Sequence, residues 1–324
     1  MTKRAWRSVT VAVAGLAALW AGAGSGLAND TVHVGKAAAN AWTFTTLDVG
    51  KEAGIFAKHG LDVEIVALPG DAKLQQGLAS GSLEFALGSG PSMAFAVKGS
   101  PVIAVAAFAG PPRNLSVVVG TDSPIKTVEE LKGKTLSITT KGSLTEWLVK
   151  RLSIAEGWGP EGITTAALGA YESSLAAMRT HQIDGMMTAV ESGYQLEEKH
   201  EGRVITDMGR YAPDFITHVV FARKNLVESN PDVVRRFVNA FFGSIAYMKA
   251  NRDKTIEITA RVLNQQKSTM ARVYDYEISM FLDDGRFNPK AVAVIKDSFV
   301  DMGLLPDKPK DDQLFTTAFV PAKP

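Results

Sequence analysis

The chain has 324 residues, of which 46% are hydrophobic and 21% are charged, with 35 lysines and arginines, 34 aspartates and glutamates, five histidines and no cysteine. This length is sufficient for two lobes with large cores, and the composition excludes collagen-like and disordered proteins. A formal net charge of +1 provides no broad surface for nucleic acid, and the lack of cysteine excludes disulfide scaffolds, iron–sulfur clusters and thiol catalysis.

The first 28 residues have the order of a secretory signal peptide. Lys3, Arg4 and Arg7 precede an uncharged, mostly apolar run over residues 9–23, and small residues follow up to Ala28. Because a membrane-spanning helix requires about twenty apolar residues, we expect cleavage after Ala28 rather than a membrane anchor. Export leads to the periplasm, where no nucleotide or nicotinamide pool exists, so we expect a soluble protein that uses no cofactor.

Short strands and helices alternate from residue 32 onward. The pattern predicts strands over 32–34, 61–65, 83–87 and 102–108, and helices over 44–53, 71–80 and 93–98. Asp71 follows a Pro-Gly break and is expected to cap the second helix. Alternation of this kind predicts a largely parallel sheet with helices on both faces.

The same order repeats further along the chain. It predicts strands over 136–139, 163–167 and 183–189, and helices over 144–155 and 171–180. The motif L-x-x-G-x-L-E at residues 78–84 aligns with M-x-x-H-x-I-D at residues 178–184. Such internal similarity indicates two related α/β lobes. We expect the chain to cross between them around residues 110–113 and through a strand over 216–222.

The remainder of the sequence is helical. A helix is predicted to begin at Pro231, and others follow over 255–263, 270–282 and 289–302, with a loop from Pro306. We expect the first lobe to comprise residues 29–112 and 221–324, and the second to comprise residues 113–220.

Motifs that bind nucleotides or catalyse reactions are incomplete. Gly133-Lys134-Thr135 resembles the end of a phosphate-binding loop, but Val128 replaces the glycine that begins such a loop. Gly88 and Gly90 begin a dinucleotide fingerprint that Met93 interrupts. The histidines lack the spacing of metal ligands, and no acid–base pair is apparent. We therefore expect neither an enzyme nor a metal site.

Four short, hydroxyl-rich loops follow predicted strands, at residues 39–43, 88–92, 139–145 and 188–192. Ligands of open α/β sheets bind beyond the carboxyl ends of strands, where helix N-termini favour anions. Gly90 and Gly142 let the backbone approach a ligand. The alternative is that Ser92 and Ser143 only cap their own helices.

Three larger side chains accompany these loops. Trp42 is expected to pack on the organic part of a ligand or to belong to the core. Arg113 is a candidate partner for a carboxylate or sulfonate, or forms a structural ion pair. Glu191 is a candidate acceptor for an amino group or ring nitrogen, or a cap of the following helix.

Three segments resemble the substrate-binding proteins of ABC importers in the sulfonate, nitrate, taurine and thiamine-precursor group. They are EAGIFAKHGLDVE at residues 52–64, LASGSLEF at 78–85 and SPIKTVEELKGK at 123–134. The resemblance implies a periplasmic-binding-protein type II fold, with two similar α/β lobes, two crossing segments and C-terminal helices packed on the first lobe. It also implies a monomer that closes on one small molecule and delivers it to a membrane permease.

In this family the ligand contacts come from the four loops. On this chain they map onto Asn40, Trp42, Thr43, Ser89, Ser92, Thr140, Ser143 and Thr188. The last loop departs from the family, since many relatives have Trp-Asp/Glu-Pro where this chain has Thr188-Ala189-Val190-Glu191.

Hydroxyls and helix N-termini favour an alkyl or aryl sulfonate or a related organic anion as the ligand. The alternative is a pyrimidine or another neutral heterocycle, with Glu191 as its acceptor. A less favoured alternative is an enzyme on the same fold that makes a pyrimidine precursor.

Overall fold

The structure, a computed structural model, describes residues 29–169 and 171–324. The predicted signal peptide lies outside these residues. Among the helices of the described residues, none combines the length and the apolar character that crossing a membrane requires.

Ten strands form two five-stranded sheets. They are β1 (Asp30–Lys36), β2 (Leu61–Ala67), β3 (Phe85–Ser89), β4 (Val102–Ala109), β5 (Leu115–Gly120), β6 (Thr135–Ile138), β7 (Thr164–Ala167), β8 (Gly185–Ala189), β9 (Gly202–Asp207) and β10 (His218–Arg223). The first sheet has the order β2-β1-β3-β10-β4, and the second has the order β7-β6-β8-β5-β9. In each sheet four strands run in one direction, and the fifth, β10 or β5, runs antiparallel to both its neighbours.

Twelve α-helices are described within these residues. They are α1 (Thr46–Glu52), α2 (Ile55–Lys58), α3 (Asp71–Ser80), α4 (Ala94–Val97), α5 (Leu144–Ala155), α6 (Tyr171–Arg179), α7 (Val190–Glu198), α8 (Lys224–Ser229), α9 (Pro231–Ala250), α10 (Arg252–Val262), α11 (Lys267–Glu277) and α12 (Pro289–Asp301). Short 3₁₀ turns at Trp42–Thr45 and Gly90–Met93 precede α1 and α4. The predicted fold, with two similar α/β lobes, is confirmed.

The second crossing differs from the one that the sequence predicts. The strand predicted over 216–222 is β10, which is hydrogen-bonded between β3 and β4 in the first sheet. The chain therefore crosses between β9 and β10, over residues 208–217, and again between β4 and β5, over residues 110–114. The lobe limits at residues 112 and 220 remain a prediction.

Asn-Pro pairs define where two of the C-terminal helices begin. Pro231 and Pro289 each occupy the first turn, where a missing N–H breaks no helical bond. The side chain of Asn230 accepts a bond from the backbone N–H of Val233 at 3.4 Å, and Asn288 accepts one from Lys290 at 2.9 Å. These caps satisfy N–H groups that the helices cannot pair internally.

Helix α9 packs on the first sheet through aromatic side chains. The ring of Phe237 stacks on Phe85 of β3, with centroids 3.9 Å apart, and lies 5.7 Å from Phe56 of α2. Phe241, one turn further along α9, meets Phe108 of β4 edge to face at 5.1 Å. These rings are buried, so helix α9 and the first sheet share one core.

Replacing Phe237 with alanine is expected to lower the free energy of unfolding by about 3–5 kcal/mol, because a fully buried ring is removed from a packed cluster. Urea denaturation measures this change. The control Val300→Ala removes a side chain that is 41% exposed on α12, and we expect it to have little effect. Similar losses in the two variants would show that α9 does not anchor this core.

Candidate functional site

A buried hydrogen bond joins the two lobes. The backbone N–H of Trp42, in the turn that follows β1, donates to Oε1 of Glu191 at 2.7 Å. Glu191 lies in the first turn of α7, directly after β8, and is 2% exposed, while Trp42 is fully buried. Because the first N–H groups of a helical turn have no internal partner, the carboxylate satisfies a donor that the turn leaves free.

A second carboxyl, that of Glu277, faces Glu191. It comes from the last residue of α11 and is fully buried. Burial raises the pKa of Glu191, and burial together with the charge of Glu191 raises the pKa of Glu277, against the opposing effect of Arg113. Because two adjacent carboxyls removed from water do not both ionise readily, the pair holds a proton.

Several buried polar atoms around this pair have no hydrogen-bond partner among the described residues. They are Nε1 of Trp42, Oδ1 of Asn114, Oε2 of Glu191, and both carboxyl oxygens of Glu277. The ring of Trp42 lies 5.5 Å from Phe281 and 6.0 Å from Tyr274, which gives the region an aromatic wall. Because buried polar atoms in folded proteins are nearly always paired, this cluster is where a ligand can supply partners.

His218 extends the site at the start of β10. Burial lowers the pKa of His218 to about 3, so the imidazole is neutral at ordinary pH. Its Nε2 faces the side-chain amide nitrogen of Asn114 at 3.1 Å and Oγ1 of Thr43 at 3.5 Å, and its ring packs against Phe44. A neutral ring nitrogen accepts the amide proton here.

The loop after β3 uses its polar groups internally. Asp71, predicted to cap its own helix, instead accepts bonds from the backbone N–H of Ser89 at 2.9 Å and from its hydroxyl at 2.7 Å. The hydroxyl of Ser92 donates to the carbonyl of Ser89 at 2.7 Å. A Cβ added to Gly90 would lie 2.0 Å from the carbonyl oxygen of Ile216, so the crossing segment itself requires glycine there.

The loop after β6 is also engaged with its own helix. Ser143 caps α5 by accepting from the backbone N–H of Glu146 at 3.3 Å. Gly142 has a positive φ of 73° and donates its N–H to Oε2 of Glu146 at 2.6 Å. Thr140 is exposed.

The remaining predicted residues lie at the margin of the site. Asn40 is exposed, and Thr188 is half-buried at the end of β8. Arg113 lies over the ring of Tyr276, 4.7 Å from its centre, and donates to Oγ of Ser279 at 3.1 Å. Their roles in binding remain predictions.

Sequence reasoning missed three residues of the site, namely Glu277, Asn114 and His218. Glu277 lies inside a predicted helix, and Asn114 follows a predicted crossing, so neither has a local motif. His218 was not a candidate, because the histidines lack the spacing of metal ligands. Among the described residues, no group of three side chains has the geometry of a metal site.

Two five-stranded sheets with this strand order, joined by two crossings, define the two-lobed fold of periplasmic binding proteins. Residues 42–255, more than half of the chain, match the family model described as NMT1/THI5 like. The chain belongs to this family, as its resemblance to the importer proteins predicted.

Two relatives illustrate the range of this similarity. A protein of Brucella abortus, named as a binding protein, is 23% identical over 295 residues, which cover 87% of this chain and 90% of the relative. The formylaminopyrimidine-binding protein of Halalkalibacterium halodurans is 27% identical over 241 residues, which cover 72% of this chain and 70% of the relative.

Solved structures share the fold. The alkanesulfonate-binding protein SsuA of Xanthomonas axonopodis pv. citri, bound to MOPS, has a TM-score of 0.74 at 16% identity, covering 86% of this chain and 95% of that one. The desulfurization enzyme DszB, in complex with biphenyl-2-sulfinic acid, has a TM-score of 0.65 at 12% identity, and the match covers 90% of this chain and 97% of DszB. Such distant similarity shows the fold alone.

We expect Gly90→Ala to lower the free energy of unfolding by about 1–3 kcal/mol without any ligand, because the added Cβ meets backbone that cannot rotate away. Urea denaturation tests this. The matched control is Gly110→Ala in the other crossing, where the nearest atom lies 3.7 Å from the added Cβ. If the two variants are equally stable, Gly90 is not required by packing.

The carboxyl pair predicts a dependence of stability on pH. Because the folded protein holds a proton that the unfolded chain loses near the ordinary glutamate pKa, stability should fall as pH rises from about 5 to 8. The slope should approach about 1.4 kcal/mol per pH unit for each proton that the folded pair holds and the unfolded chain does not. Chemical denaturation at each pH measures it, and Glu277→Gln should reduce the slope.

The control for this measurement is Glu257→Gln on α10, whose carboxyl is 44% exposed and pairs with Lys254 of the same helix. It should reproduce the wild-type slope. If Glu277→Gln has the same pH slope of stability as the wild type, the pair does not hold a proton.

Proposed function

We propose that this protein is a periplasmic solute receptor of an ABC importer, which as a monomer closes its lobes on one small molecule and delivers it unchanged to a membrane permease. The bond between Trp42 and Glu191 carries this proposal. It joins the ends of strands from opposite lobes at a point where other buried polar atoms lack partners. A ligand that bridges the lobes there would stabilise closure by its greater affinity for the closed state.

The chemistry of this site favours a ligand that donates N–H groups, such as an aminopyrimidine, over an organic anion. Glu191 of α7 and Glu277 of α11 are both buried, and an anion beside a buried carboxylate is strongly disfavoured. A planar ring can lie against Trp42 while its amino group meets a carboxyl oxygen. The similarity to a formylaminopyrimidine-binding protein supports this preference over the sulfonate that the loops suggested.

Binding without catalysis agrees with the state of the other titratable groups. Both oxygens of Asp71 are engaged by Ser89, and the low pKa of His218 makes it a weak base. One observation favours the enzymatic alternative, namely the raised pKa values of Glu191 and Glu277, since such shifts also occur at catalytic sites. Recovery of the bound compound separates the two functions, because a receptor releases it unchanged.

The test begins with mass spectrometry of the small molecule that co-purifies with the native protein. Thermal unfolding and calorimetry with 4-aminopyrimidine, methanesulfonate and taurine then compare the two ligand classes. We expect the ring to raise the unfolding temperature and the sulfonates to leave it unchanged. Stabilisation by the sulfonates alone would refute the ligand class, and conversion of any bound compound would refute the receptor function.

Glu191→Gln provides the matching variant. Replacing the carboxylate with an amide weakens its acceptor strength, and affinity for the ring should fall by about tenfold or more. The control Glu172→Gln changes an exposed carboxyl on α6 and should bind like the wild type. Equal affinities in the two variants would show that Glu191 does not contact the ligand.

A further inference from the structure

The charges of Glu191, Glu277 and Arg113 do not cancel when all three side chains are ionised. Glu191 and Glu277 would contribute two negative charges if both were ionised, and Arg113 acts on Glu277 with one positive charge. With one proton held by the pair, the three groups are neutral together. Without that proton they carry one net negative charge, which matches a ligand of charge +1.

Other charged groups that face this region have partners of their own. On α11, Arg272 forms an ion pair with Glu197 of α7 at 2.7 Å. At the end of β9, Asp207 accepts the N–H of Gly209 at 2.8 Å, and the hydroxyl of Tyr276 lies beside it. The phenol of Tyr194, which also faces Glu277 from α7, has a raised pKa through burial and stays neutral. Since Glu191 and Arg113 are the charged groups that act on Glu277, these three side chains set the charge beside the unpaired carboxyl oxygens.

We propose that Glu191 and Glu277 form a cation-binding subsite, in which a positively charged nitrogen group of the ligand replaces the proton that the pair holds in the ligand's absence. The proposal rests on the proposed function and adds the charge of the bound ligand to it. It also assigns a binding role to Glu277, which comes from a C-terminal helix and from none of the four strand-end loops.

The geometry of the pair supports a cation. Three carboxyl oxygens, Oε2 of Glu191 and both oxygens of Glu277, are buried without a donor from any other described residue. A protonated amino-substituted ring or an amidine presents its positive charge on N–H groups that such oxygens accept. The ring of Trp42, whose backbone N–H is bonded to Glu191, packs with Tyr274 and Phe281, and aromatic rings attract cations.

The proton balance depends on the form in which the ligand arrives. A ligand that arrives as a cation displaces the pair's proton, which goes to solvent. A ligand that arrives neutral takes this proton on its ring nitrogen, and none leaves the protein. In both cases the bound complex contains two carboxylates and one cation.

Two rings of nearly equal shape test this balance. At about pH 7.5, 4-aminopyridine is a monocation and 4-aminopyrimidine is neutral, so calorimetry in buffers of different ionisation enthalpy counts the protons released. We expect 4-aminopyridine to bind about tenfold or more tightly than 4-aminopyrimidine and to release about one proton per site. Binding of 4-aminopyrimidine should release none.

Glu277→Gln removes one carboxylate with little change of shape. The variant should lose both the preference for 4-aminopyridine and the proton release, while Glu257→Gln on α10 keeps both. Thermal unfolding first establishes that Glu277→Gln is folded. If it is not, the proton count of the wild-type protein decides by itself.

The outcomes separate this inference from the proposed function. If 4-aminopyrimidine binds as tightly as 4-aminopyridine, or if 4-aminopyridine releases no proton, the cation subsite is refuted and the receptor for a nitrogen heterocycle stands. If neither ring binds, both the subsite and the proposed ligand class are refuted.

Discussion

The buried bond between Glu191 and the backbone of Trp42 is the contact on which the proposed closure of the lobes depends. Burying a carboxyl group costs several kcal/mol unless hydrogen bonds compensate, and opening the lobes returns this one to water. One N–H donor and one shared proton compensate only in part, since Oε2 of Glu191 and both oxygens of Glu277 have no other donor among the described residues. Closure is therefore incompletely stabilised by the protein alone, as ligand-controlled closure requires.

A second set of contacts between the lobes is weaker and more exposed. Arg272 of α11 pairs with Glu197 of α7 at 2.7 Å and lies 3.5 Å from the ring centre of Tyr194. Since the Arg272 side chain is 49% exposed, solvent screens this pair, and such pairs contribute about 0–1 kcal/mol. These contacts orient α7 against α11 but cannot hold the lobes shut. In the proposed function, the balance between open and closed forms is consequently decided at the buried carboxyls.

Sequence reasoning succeeded where local signals determine structure. Both α3 and α5 occupy the predicted residues, because Gly81 ends the first and Ser143 caps the second. Strands β5 and β9 were not predicted: β5 is inserted antiparallel between β8 and β9, and β9 pairs only with β5 at the edge of the sheet. The same distinction applies to the site. Trp42 and Glu191 follow strands and were predicted as candidates, whereas Glu277 acquires its environment only when α11 packs against α7.

Two similar proteins are named for different ligands, a formylaminopyrimidine and an alkanesulfonate, and the proposed ligand class follows from the charge of the site in this chain. Strand-end loops followed by helix N-termini favour anions in general, because free N–H groups point toward the ligand. Here the N–H of Trp42 is already satisfied by the carboxylate of Glu191, so the chain supplies its own anion at this position. An anionic ligand would have to displace that carboxylate and then remain beside it. A ligand with N–H donors leaves this bond intact and satisfies the unpaired oxygens of Glu191 and Glu277. The loop at residues 188–192, which departs from the family pattern and contains Glu191, therefore affects which ligand is bound.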